Sequence, residues 1–135
     1  MLLVLARGMF VASMLSAFGA ALFGAVIAKP SHVGRDEVKV SDRLRRCFRV
    51  SAAAVLAFGF AWLVLEARDI AGAESIADAP IADVVVGTTF GRILVMQWLL
   101  LAAALAATAV LWRFEVPCVA FAGTALMLEA GRGHA

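Results

Sequence analysis

With 64% of its 135 residues hydrophobic, 16% charged and a mean hydropathy of +0.96, this chain carries too much apolar surface for an ordinary water-soluble domain. Lipid is the solvent that such a composition requires. The formal charge of +2 says little in total and calls for no nucleic-acid partner; what matters is which loops hold the Lys and Arg.

Arg7 precedes an uncharged run, Gly8 to Ala28, that stops at Lys29-Pro30, where a cation and a proline end a helix naturally. The run predicts a first transmembrane helix over 7–28. A cleaved signal peptide is the rival reading, since Val26 and Ala28 are small residues at a cleavage-like position, but the run exceeds a signal h-region. Ser16, Ala20, Gly24 and Ala28 recur every four residues, a small-residue stripe along which another helix can approach closely.

Residues 29 to 49 hold seven cations, Lys29, Arg35, Lys39, Arg43, Arg45, Arg46 and Arg49, against Asp36, Glu37 and Asp42. By the positive-inside rule the basic loop 29–41 is cytoplasmic. Ser41 has the chemistry of an N-cap, and Leu44, Cys47 and Phe48 share a helical face, so a second helix is expected over 42–67. Its uncharged part, Val50 to Leu65, spans a bilayer if Arg49 and Glu66 snorkel. The segment 68–91 is rich in Asp and Glu and reads as an external loop; its acidic spacing matches no tight oxygen cage for a cation.

Ile93 to Trp112 is the clearest span, twenty residues without a charge. Nine of them are Leu, Ile or Val; at roughly 0.3 to 0.6 kcal/mol each, about 3 to 5 kcal/mol of insertion energy outweighs one Gln and one Thr. A helix over 92–113 follows, with Trp98 and Trp112 expected at the headgroup level. Beyond it, 115–131 predicts a fourth helix with Pro117 in its first turn. Its uncharged part, Val116 to Leu128, is short, so spanning is marginal and an interfacial or re-entrant segment is the alternative. The fold class is thus an all-α membrane bundle of about four transmembrane helices in one domain, with both termini external.

Chemistry is sparse. The two histidines, His32 and His134, lie outside the predicted spans, so no haem is expected between helices and an oxidoreductase subunit is the least favoured reading. No Ser or Cys stands in a catalytic motif with a His, and no enzyme activity is expected. Cys47 and Cys118 show neither disulfide nor zinc spacing. Met9, Met14, Met96 and Met127 lie in or beside the helices, and soft sulfur ligands favour Cu(I), although methionine is also an ordinary gap-filling residue.

In order, Leu5-Ala6-Arg7, the Gly19 to Phe23 patch GAALF, Ala71-Gly72, Thr88-Thr89-Phe90-Gly91 and Gly133-His134-Ala135 resemble the copper resistance D (CopD) domain of bacterial inner-membrane proteins. The chain departs from that pattern at Phe10, where relatives often carry His, at Ile70 in place of Met, and at Gln97 in place of Arg. The family domain continues into further helices, so this chain is similar to its N-terminal half. The resemblance implies a multi-pass protein of the plasma membrane that helps copper enter the cytoplasm. It also implies a copper ion as cargo, with His134, Met96 and Met127 as metal ligands. A second copy or a separate chain would complete the site, and a periplasmic copper-binding protein would be a partner. The competing reading is a structural or truncated membrane module that assembles without metal.

Overall fold

The computed structural model describes residues 1–26, 35–72, 80–110 and 115–131. Among them all regular structure is helical: α1 (Leu2–Val26), α2 (Arg35–Ala71), α3 (Ile81–Gly87), α4 (Thr89–Val110) and α5 (Glu115–Gly131). Three stretches, Leu2–Val26, Asp42–Ala71 and Thr89–Ala109, are long and apolar enough to cross a membrane. The molecule is an all-α membrane bundle, as its composition requires.

The helices are longer than their charge-free cores. α1 begins at Leu2, because nothing in the Leu2 to Ala6 run breaks a helix, and Arg7 lies inside it. α2 is continuous over 37 residues, about 55 Å at 1.5 Å per residue, against a hydrocarbon core of about 30 Å. Ser41 therefore lies within the helix and does not cap it. α2 ends where Gly72 takes a left-handed φ of 60° and its N–H reaches the Asp69 carbonyl at 3.2 Å. A glycine serves best at that position, since any Cβ is strained in it.

Part of the segment read as an external loop is helix α3, too short for periodicity to show. Thr88 joins it to α4. Its backbone N–H bonds the Val84 carbonyl at 3.1 Å and its hydroxyl donates to the same oxygen at 2.6 Å. The hydroxyl oxygen in turn accepts the Gly91 N–H at 3.0 Å, so Thr88 closes α3 and caps α4 at once. A Cβ on Gly91 would overlap the Val84 carbonyl oxygen and come within 2.5 Å of Val85 Cα. The Thr-Thr-Phe-Gly sequence is thus a tight helix-to-helix corner.

α1 packs most extensively on α2. Its buried positions, Ala6, Phe10, Met14, Ala17, Ala21 and Gly24, follow three- and four-residue spacing, which keeps one face toward its neighbours. Ser16 and Ser51 share a hydrogen bond of 3.0 Å between α1 and α2. Along the small-residue stripe Gly24 is buried, Ala20 half-buried and Ser16 exposed, and Ala28 lies outside the described residues. α5 runs antiparallel to α4: Cys118 Sγ lies 3.4 Å from the Ala104 carbonyl oxygen, and Ala125 meets Gln97. That lengthwise packing makes α5 a member of the bundle. Trp98 lies within α4, away from its ends, and its indole nitrogen is buried against Gly59, where a Cβ would stand 2.7 Å from it. Trp98 is partly buried, and Trp112 lies outside the described residues.

Candidate functional site

The interior face of α4 follows from its cap: once Thr88 fixes the start, Leu94, Gln97, Leu101, Ala104 and Thr108 recur at three- and four-residue intervals and are buried. Gln97 is the polar member in the half nearer the corner. Its Nε2 donates to the Ala125 carbonyl at 3.0 Å and to Glu129 Oε2 at 3.4 Å, both on α5. Glu129 is only 9% exposed. On its other oxygen, Oε1, the guanidinium of Arg7 stands at 3.8 Å. A carboxylate removed from water costs several kcal/mol unless it is paired and hydrogen-bonded, and here α1 and α4 supply both kinds of partner.

Arg7 has a second contact. Its guanidinium carbon lies 5.5 Å from the ring centroid of Trp62 on α2, a cation–π distance. Trp62 is held on three sides: edge-on to Phe90 at 4.9 Å, tilted against Phe10 at 5.5 Å, and through Nε1 to Glu66 Oε2 at 3.2 Å. Glu66 thus meets an indole inside its own helix. One cluster at one end of the bundle joins α1, α2, α4 and α5.

The opposite end has its own polar clamp. Arg49 Nε donates to Thr108 Oγ1 at 3.0 Å and Arg49 Nη2 to the Thr108 carbonyl at 3.2 Å, while Thr108 Oγ1 donates to Leu105 O at 2.7 Å. Arg49 ties α2 to α4 while remaining exposed.

The structure separates the sulfurs. Met96 is 53% and Met127 78% exposed, on the outer surface of the bundle and directed away from its interior. Met14 and Cys118 are fully buried, and sequence alone gave neither any weight over Met9 or Cys47. His134 lies outside the described residues. Among the described residues no three His, Cys, Asp or Glu side chains gather to hold a metal ion. The donors on hand are oxygen at the Glu129 end and single sulfurs along the interior.

Arg7, Glu129 and Trp62 escaped the sequence reading because each stands near the edge of an apolar run, where an interfacial place is the default. Gln97 was legible as the one Gln in the charge-free run and as a departure from the family pattern.

These features define a class: a helical membrane bundle with a buried carboxylate paired to an exposed arginine at one end. The family described as copper resistance protein D-like, N-terminal domain, matches residues 1–135, and the chain belongs to it. No curated protein and no solved structure matches the chain. Membership makes this a membrane protein of the copper resistance D-like kind, and the match over the whole chain agrees with the resemblance to the N-terminal half of such a domain.

Proposed function

We propose that this chain helps copper ions cross the bacterial inner membrane toward the cytoplasm. Membership of the copper resistance D-like family carries the reading. The polar cluster of Arg7, Gln97 and Glu129 supports it, because ionisable groups inside a membrane bundle are expensive and typically serve an ion path. The positive-inside rule turns the basic residues before and within the start of α2 toward the cytoplasm and the Arg7 end outward. Copper then arrives at the Glu129 end, and the buried sulfurs Met14 and Cys118 are the soft stations deeper in the bundle. A periplasmic copper-binding protein and a second copy or chain completing the ligand set are the partners that this reading calls for.

The deciding experiment compares the copper content of cells with and without the protein, after exposure to a fixed copper concentration. Import predicts more copper inside cells that carry the chain; equal copper in both sinks the reading. A structural module is favoured by one observation: Ser16, Gln97 and Arg49 each bond one helix to another. That reading predicts an intact bundle with no effect on copper.

A further inference from the structure

We propose that the outer face of α2 binds an anionic phospholipid, with Arg43 and Arg46 on its phosphate and the apolar surface next to them against its acyl chain. The site stands whether or not the chain moves copper.

The exposed positions of α2 carry the first step. Arg43, Arg46, Val50, Ala53, Ala57 and Phe60 are exposed and follow one another at spacings of three and four, so they form one stripe along the helix. Phe48, Ala52 and Val55 are buried on another face, against the bundle. The last four members of the stripe are apolar, with Val50 64% and Phe60 55% exposed. In a membrane helix such a surface faces acyl chains. From Val50 to Phe60 the stripe runs about 15 Å at 1.5 Å per residue, half of a hydrocarbon core of about 30 Å. It is as long as one leaflet is deep.

The two arginines then fall at the height of the headgroups. Arg46 and Arg43 stand about 6 and 10 Å beyond Val50 along the axis, and the polar layer outside the core is about 5 to 8 Å thick on each side, which long side chains reach. Their neighbour Arg49 is different, because its guanidinium is spent on Thr108. Arg43 and Arg46 have no hydrogen bond or ion pair with another described residue, and Asp42, four positions before Arg46, forms no ion pair with it. Two guanidiniums one turn apart, without protein acceptors among the described residues, suit a phosphate, which guanidinium takes through paired N–H donors. A zwitterionic lipid brings its own cation beside the phosphate, so a headgroup of net negative charge is preferred. Charge at one end of the stripe and apolar surface over one leaflet match the two parts of a single lipid.

The test is thermal unfolding of the purified full chain in neutral detergent micelles. These are titrated with phosphatidylglycerol, with phosphatidylcholine of the same acyl chains, or with soluble glycerol phosphate. A ligand that binds only the folded state raises the melting temperature as it fills its site. Phosphatidylglycerol is expected to stabilise the chain, whereas phosphatidylcholine at the same mole fraction and glycerol phosphate, which lacks the acyl chains, are not. An arginine near an anionic surface contributes about 1 kcal/mol, roughly fivefold, so Arg46→Gln should need about fivefold more phosphatidylglycerol, and Arg43→Gln combined with Arg46→Gln about tenfold or more. Arg92→Gln removes one charge at the start of α4, at the other end of the bundle, and should keep the wild-type dose. The proposal is overturned if Arg92→Gln weakens the response as much as Arg46→Gln, or if phosphatidylcholine or glycerol phosphate stabilises as well as phosphatidylglycerol. It is also overturned if the chain is a dimer that Ala57→Leu dissociates, since a second copy then covers the stripe. Should the arginine variants not accumulate, native mass spectrometry of the wild type decides: phosphatidylglycerol retained beyond its share of the source membrane supports the site, and retention in proportion to that share refutes it.

Discussion

Gln97 on α4 and Glu129 on α5 lie side chain to side chain, the amide nitrogen 3.4 Å from the carboxylate and 3.0 Å from the carbonyl of Ala125 one turn earlier. This contact fastens α5, which is shorter than the three helices long enough to span, onto α4. Gln97→Leu keeps the volume but strips a donor from a buried carboxylate. Interhelical side-chain bonds in membranes average about 0.6 kcal/mol, and leaving a buried polar group unsatisfied adds about 1 to 3 kcal/mol, so a loss near 2 kcal/mol is expected. Denaturant titration in mixed micelles reads it; a variant as stable as wild type would show that Gln97 does not fasten α5.

The corner between α3 and α4 predicts a sharp contrast among glycines. Gly91→Ala places a methyl onto the Val84 carbonyl and must push the two helices apart, an overpacking penalty of about 1 to 3 kcal/mol. Gly19→Ala meets nothing within 4 Å and removes only backbone freedom, so it should be neutral or stabilising by up to about 1 kcal/mol. Thr88→Val belongs with Gly91→Ala, since it loses the cap, about 0.5 to 2 kcal/mol, whereas Thr88→Ser retains it. Melting temperatures of the four variants in one detergent test the ordering.

The long apolar runs announced the bundle because twenty uncharged residues have few other uses, and the helical nature of 115–131 followed from Pro117 and the run behind it. The corner was visible only as a string, Thr88 to Gly91. Its meaning depends on α3, seven residues that carry too little periodicity to be read as a helix. The ion pair was hidden for a different reason. Arg7 and Glu129 are 122 positions apart in the chain, and only the antiparallel packing of α5 on α1 brings them together. Sulfurs posed the same difficulty. Met14 and Met96 look alike in an apolar run, and rotation of each helix about its axis decides which faces lipid.

Arg49 and Thr108 should couple. Arg49→Gln and Thr108→Val each break the clamp between α2 and the end of α4, and once one is lost the other has nothing further to break. Because Arg49 is exposed to its surroundings, the coupling energy is expected at the low end, about 0.5 to 1 kcal/mol. A double-mutant cycle on unfolding free energies measures it, and strictly additive losses would mean that the two side chains act separately.

The placement of the sulfurs separates transport from packing. Met96→Leu and Met127→Leu alter side chains on the outer surface, so neither should change copper uptake or stability measurably. Met14→Leu conserves volume in a fully buried place and should cost less than about 1.5 kcal/mol, yet it removes a thioether from the interior. If copper passes through the bundle along soft donors, uptake falls in Met14→Leu and in Cys118→Ala while Met96→Leu and Met127→Leu transport normally. Thiol loss in Cys118→Ala also removes the contact to Ala104, so its melting temperature is measured beside its uptake. A fall in uptake at unchanged stability assigns the sulfur to the path. Normal uptake in both interior variants would remove Met14 and Cys118 from it.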